Sequence, residues 1–78
     1  MTKAIREHCH HRIACNKVIT PQGQQLTRYV VELEEEGWVA NLFPLEEELA
    51  FTEWRPGMIE LRNEHGRARA YYNNKPII

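Results

Sequence analysis

The sequence predicts an all-β fold, a small antiparallel meander forming a sandwich or roll. Three observations carry the expectation. Short runs rich in β-branched and aromatic residues recur along the chain, such as Thr27–Glu34 and Trp38–Phe43. Turn-forming clusters separate them at roughly 8–12-residue spacing, the rhythm of small β domains. Only Leu45-Glu46-Glu47-Glu48-Leu49 has helical composition. It is far shorter than the ~12 residues an isolated helix needs, so at most one short helical turn is expected near 45–50.

The elements follow in order. Residues 1–11 are polar and read as an N-terminal arm or first edge strand. Arg12 to Ile19 is strand-like, with Ile13, Cys15 and Ile19 sharing one parity with Lys17, and Arg12, Ala14, Asn16 and Val18 on the other. Thr20-Pro21-Gln22-Gly23-Gln24 is a turn in which proline presets φ and glycine accepts a positive one. Thr27–Glu34 is the clearest period-two segment, with Tyr29, Val31 and Leu33 facing one way and Val30, Glu32 and Glu34 the other. Glu34-Glu35-Glu36-Gly37 suits a type I turn followed by a G1 bulge, hence a hairpin onto Trp38–Phe43, which Pro44 ends. Phe51 and Trp54 read as plugs that cover the sheet. Trp54-Arg55-Pro56-Gly57 reads as a turn, Met58–Arg62 as a short strand, Asn63-Glu64-His65-Gly66 as another turn and Arg67–Tyr72 as the last strand. Residues 73–78 carry tail signals, and Ile77-Ile78 need a docking site to be ordered. The domain expectation is therefore an arm over 1–11, one β domain over 12–72 and a tail over 73–78.

Ile13-Ala14-Cys15-Asn16-Lys17-Val18-Ile19-Thr20-Pro21-Gln22-Gly23, the hairpin Val30–Ala40 and Trp54-Arg55-Pro56-Gly57-Met58-Ile59-Glu60-Leu61 lie in succession. Together, over about residues 12–61, they resemble the small N-terminal β-sandwich module of amidohydrolase-superfamily (metal-dependent hydrolase) enzymes. The resemblance implies a scaffold that precedes a catalytic TIM barrel. It also implies a His-x-His metal motif after the Pro-Gly strand. The corresponding stretch here is Leu61-Arg62-Asn63, which holds no metal ligand. Through this resemblance the chain reads as a degenerate module that has kept the scaffold without the chemistry.

Composition narrows the function classes. Seventy-eight residues make one small domain. A chain of this size buries only ~60% of its unfolded surface and gains from a metal, a disulfide or a second copy. The net charge is −1 and the pI about 6.4, which gives no electrostatic reason to expect nucleic acid or an anionic membrane as partner. No apolar run approaches the ~20 residues that span a bilayer, and Met1–His8 does not resemble a secretory signal. A cytoplasmic location is expected, where Cys9 and Cys15 stay reduced.

The candidate chemistry is sparse. Serine is absent, so a serine triad is excluded, and the four glycines are scattered one per turn, which is no phosphate loop. His8-Cys9-His10-His11 with Cys15 is the one dense group of metal-capable side chains. On a strand Cys9, His11 and Cys15 share a face, and His65 supplies a fourth zinc ligand in the alternative that a metal is bound. The plainer reading makes Cys15 a small buried hydrophobe and the histidines solvated, with no cofactor. Glu32, Glu34, Glu35, Glu36, Glu46, Glu47, Glu48 and Glu53 read as a solvated surface, and those at the hairpin discourage edge-to-edge aggregation. Arg67, Arg69, Tyr71 and Tyr72 mix cations with aromatics, a pattern that stacks on bases in RNA-binding sheets. In this acidic chain they read as edge-strand residues. Tyr29, Trp38, Phe43, Phe51 and Trp54 read as core, and any tryptophan left exposed marks an interface. The interface candidates are Trp38, Trp54, Tyr71 and Tyr72. The chain is expected to be a non-enzymatic module, with no catalytic residues, that associates with itself as a homodimer or with another protein; the alternatives are a Cys/His metal-binding protein and the degenerate amidohydrolase module.

Overall fold

The computed structural model describes residues 11–77. It is all-β, with no helix among the described residues. Six strands form one sheet: β1 (His11–Ile19), β2 (Gln25–Leu33), β3 (Val39–Pro44), β4 (Glu53–Glu64), β5 (Arg67–Tyr72) and β6 (Lys75–Pro76). Their order is β3-β2-β1-β4-β5-β6. Two antiparallel meanders, β1-β2-β3 and β4-β5-β6, are joined by a parallel pairing of β1 with β4. The sheet is thus mixed where the sequence suggested antiparallel pairing throughout. After β3 the chain crosses over the β1–β2 face through residues 45–52, and β4 takes the edge of β1 that β2 leaves free.

Both hairpins of the first meander use the device read from the sequence. Gly37 N donates to Glu34 O (3.0 Å) and Glu34 N to Trp38 O (2.8 Å). Gly23 N donates to Thr20 O (2.8 Å) and Thr20 N to Gln24 O (2.9 Å), and Thr20 Oγ1 also accepts from Gln24 N. The second meander turns differently. His65-Gly66 and Asn73-Asn74 both hold positive φ at two successive residues, the geometry of a type I′ turn. The segment expected as a tail therefore folds back as β6, and Ile77 is 4% exposed in the core. Asparagine tolerates the left-handed region well enough to close this two-residue turn.

Pro56-Gly57 is a bulge inside one continuous β4 and not the turn expected at 54–57. The β1–β4 register slips between Cys15 and Lys17, and the Asn16 side-chain carbonyl accepts from Gly57 N at 2.8 Å. Trp54 and Met58, four residues apart on β4, share the outer face, Trp54 pairing with Ala14 and Met58 with Lys17.

The sheet curls on itself. Trp38, just before β3, bridges to Arg69 of β5, and Ala70 N donates to Gly37 O (3.2 Å). Ile77 N donates in turn to Ala70 O (3.0 Å). Inside the curl lie Ile13, Cys15, Val18, Val31, Leu33, Ile59, Leu61, Ala70 and Ile77. Burying such side chains stabilises the fold by ~1.5–3 kcal/mol for each large one.

The opposite face of β1–β2 is also covered. Arg12, Ala14, Val30 and Glu32 are all buried. Segment 45–52 lies over them, and no helical turn forms there. Arg12 Nε and Nη2 both reach Glu32 Oε2, at 2.9 and 2.8 Å, and Arg12 Nη1 donates to Ala50 O at 3.1 Å. A buried charge persists only when paired and hydrogen-bonded, so the Glu32 carboxylate fixes the guanidinium and the guanidinium fixes the covering loop.

Candidate docking surface

The loop pinned by Arg12 displays apolar side chains to solvent. Ala50 O accepts from both Arg12 Nη1 and Thr52 Oγ1 (3.1 Å each), and between these residues Phe51 sits at φ 55°. A bulky residue in the left-handed region costs ~1–3 kcal/mol and persists only when its surroundings impose it. Phe51 is nevertheless 74% exposed, with Trp54 at 49% and Met58 at 51%. Phe51 and Trp54, expected as plugs over the sheet, face outward. Leu45, Leu49 and Ala50 come from the loop that does the covering. Ala14, Leu45, Glu48, Leu49, Thr52 and Trp54 line a shallow pocket of about 240 Å³ beneath this loop. Exposed Glu48 lines the same pocket as Trp54, and exposed Lys17 pairs across the sheet with Met58.

The other interface candidates are engaged within the chain. Trp38 lies under two guanidinium groups, Arg67 at 5.0 Å and Arg69 at 5.3 Å from the ring centroid. Arg62 sits 4.0 Å over Tyr71. The Tyr71 hydroxyl donates to the Glu64 carboxylate, which holds the phenol above its ordinary range. Tyr72 donates to Pro56 O at 2.6 Å and stacks beneath Arg55 at 5.3 Å. Glu34, Glu60 and Glu64 pair with Arg67, Arg62 and Arg69, so the arginines of this face carry their own counter-charges. Of the four, Trp54 is the one left uncovered. Sequence reasoning passed over Met58. Its signal was available in plain alternation, since Met58 lies four residues from Trp54 on one strand and so shares its face.

Among the described residues, His11, Cys15 and His65 do not come together as a zinc site. Cys9 lies outside the described residues. Cys15 is fully buried in the core; its thiol donates to Lys17 O at 3.1 Å, and burial raises its pKa. His11, the first residue of β1, lies beside Glu53, the first of β4, 2.7 Å from its Oε1. His65 lies at the far end of β4, in the turn to β5. Among the described residues no three His, Cys, Asp or Glu side chains come together as a metal group. The parity argument was right for His11 and Cys15, but the length of β4 carries His65 away from them. Glu53 also accepts from Arg55 Nε at 2.7 Å, and chiefly that bond holds its carboxyl below the ordinary glutamate range.

No helix among the described residues is long and apolar enough to cross a membrane. No family model, curated protein or solved structure matches this chain.

Proposed function

We propose that this chain is a non-enzymatic association module that dimerises through the face formed by Phe51, Trp54 and Met58. The observation that carries the reading is Phe51, held in a costly backbone conformation by a buried ion pair and yet turned to solvent. Conformational cost and exposed apolar area both oppose such an arrangement in an isolated chain, and contact with a second surface offsets both. The patch also suits a second copy. Glu48 flanks the Trp54 end and Lys17 flanks the Met58 end. A two-fold axis through the centre then lays Glu48 of one chain against Lys17 of the other, as isologous contacts require.

Sedimentation equilibrium from micromolar to millimolar protein tests this. A monomer–dimer equilibrium is expected. A half-exposed tryptophan presents roughly 100 Å², burial stabilises by ~25 cal/mol per Å² and both chains of the dimer lose it, so Trp54→Ala weakens the dimer by roughly 100-fold or more. Lys17→Glu and Glu48→Lys each weaken it by repulsion, and the double charge swap recovers part of the loss. A monomer throughout the range refutes self-association. A dimer indifferent to Trp54→Ala refutes this face.

A further inference from the structure

We infer that the open end of the curled sheet, on the opposite side of β4 from Trp54, is a binding site for a small ligand presenting a carboxylate or phosphate group. A cavity of about 320 Å³ opens there, lined by Arg55, Tyr72, Asn73, Lys75, Pro76 and Ile77. That volume is at the lower end of the range for small-molecule pockets. Two cations from different elements face it, Arg55 from β4 and Lys75 from β6. Arg55 uses only its Nε, toward Glu53, and its ring-facing plane, toward Tyr72. Its two Nη groups, the Lys75 ammonium and the Asn73 amide have no hydrogen-bond partner among the described residues. Stacking on Tyr72 and the Glu53 bond hold the guanidinium in one orientation with its fork open, which is how arginine binds a planar or tetrahedral oxyanion through two parallel hydrogen bonds. Tyr72, Pro76 and Ile77 supply an apolar floor. The site therefore fits an anionic head group on a short apolar body. Glu53 sits behind the guanidinium and moderates its attraction for a second anion.

The site is independent of the dimer face, and Trp54→Ala leaves it intact. An amide-resolved NMR titration with sodium phosphate and with sodium acetate, each against sodium chloride at matched ionic strength, tests it. Saturable shifts confined to Arg55, Tyr72, Asn73 and Lys75 are expected with at least one oxyanion, and none with chloride. Whichever oxyanion saturates at lower concentration identifies the head group. Losing charge-assisted hydrogen bonds makes Arg55→Gln bind at least about tenfold more weakly. Lys75→Ala, at an exposed position outside the core, weakens binding severalfold with the fold preserved, which guards against an Arg55 variant that unfolds. Glu53→Gln, by removing the competing carboxylate, tightens it about threefold. Shifts that grow linearly without saturation, equal shifts with chloride, or affinities unchanged by both Arg55→Gln and Lys75→Ala overturn the assignment.

Discussion

Replacing Gly37 by alanine is expected to cost far more than the same change at Gly23, although the two backbones are nearly identical. Gly37 has φ +88° and Gly23 φ +89°, each closing a hairpin of the same type. Placing an L-residue in the left-handed region costs ~1–2 kcal/mol at either position. At Gly23 nothing lies within 4 Å of the new Cβ. At Gly37 the Cβ falls 2.0 Å from Ile77 O and 3.2 Å from Ile77 C. Both are backbone atoms, so no side-chain rotation relieves the overlap and residue 77 must withdraw. Withdrawal breaks the Ile77 N–Ala70 O bond, a loss of ~1 kcal/mol, and exposes a buried isoleucine, a loss of up to ~1.5–3 kcal/mol. Gly37→Ala should therefore destabilise by ~4–6 kcal/mol and Gly23→Ala by ~1–2 kcal/mol. A domain of this kind holds ~5–15 kcal/mol in total, so the first change brings it close to unfolding. Urea unfolding followed by tryptophan fluorescence measures both, with the slope checked for a common denatured state. In an Ile77→Ala background the penalty at Gly37 should shrink, because part of what it displaces is already gone. Equal destabilisation by the two glycine variants, within about 0.5 kcal/mol, would show that Ile77 does not wedge against the turn.

Three further outcomes follow from the buried groups and from Glu53 at the start of β4. Arg12→Met alone strands the Glu32 carboxylate in a dry site and should cost ~3–5 kcal/mol, whereas the Arg12→Met/Glu32→Leu pair should recover most of it; both are read from denaturant midpoints, and hydrogen exchange should show Phe51 and Thr52 loosened in each. Glu53 has its carboxyl lowered mainly by Arg55, so its contribution is full above the unfolded-state value and is lost as pH falls through the folded-state value; acid titration of stability should fall less steeply in Glu53→Gln. The Cys15 thiol is buried and its pKa raised, so a thiol reagent near pH 8 should react slowly with the native chain and rapidly in urea; fast native reaction would place the sulfur outside the core.

The first meander was legible because its signals are local. Three glutamates and Gly37 between two β-rich runs specify a hairpin, and Tyr29, Val31 and Leu33 mark the inner face by their spacing. The parallel β1–β4 pair left no such mark. It depends on which edge of β1 remains free and on where residues 45–52 cross, both properties of the assembled sheet. The same crossing explains why Glu32, expected among the solvated glutamates, is buried together with Arg12. Pro56-Gly57 carries identical residues whether it ends a strand or bulges one, and the Asn16 amide that decides the matter lies 41 positions away. Of the docking surface, Trp54 was readable as an interface candidate. Phe51 was not, because a phenylalanine near a tryptophan in so small a chain resembles core until the backbone turns it outward. The binding cavity was invisible for a related reason: Arg55 and Lys75 become neighbours only once Asn73-Asn74 reverses the chain.

The Ile77 wedge has a consequence for synthesis. The β1-β2-β3 portion can pair as soon as it leaves the ribosome, since each hairpin joins neighbours in sequence. Its apolar interior stays open on one side, however, until residue 77 has emerged and met Gly37. A nascent chain stalled before that point presents an unsealed hydrophobic trough, the kind of surface that chaperones bind.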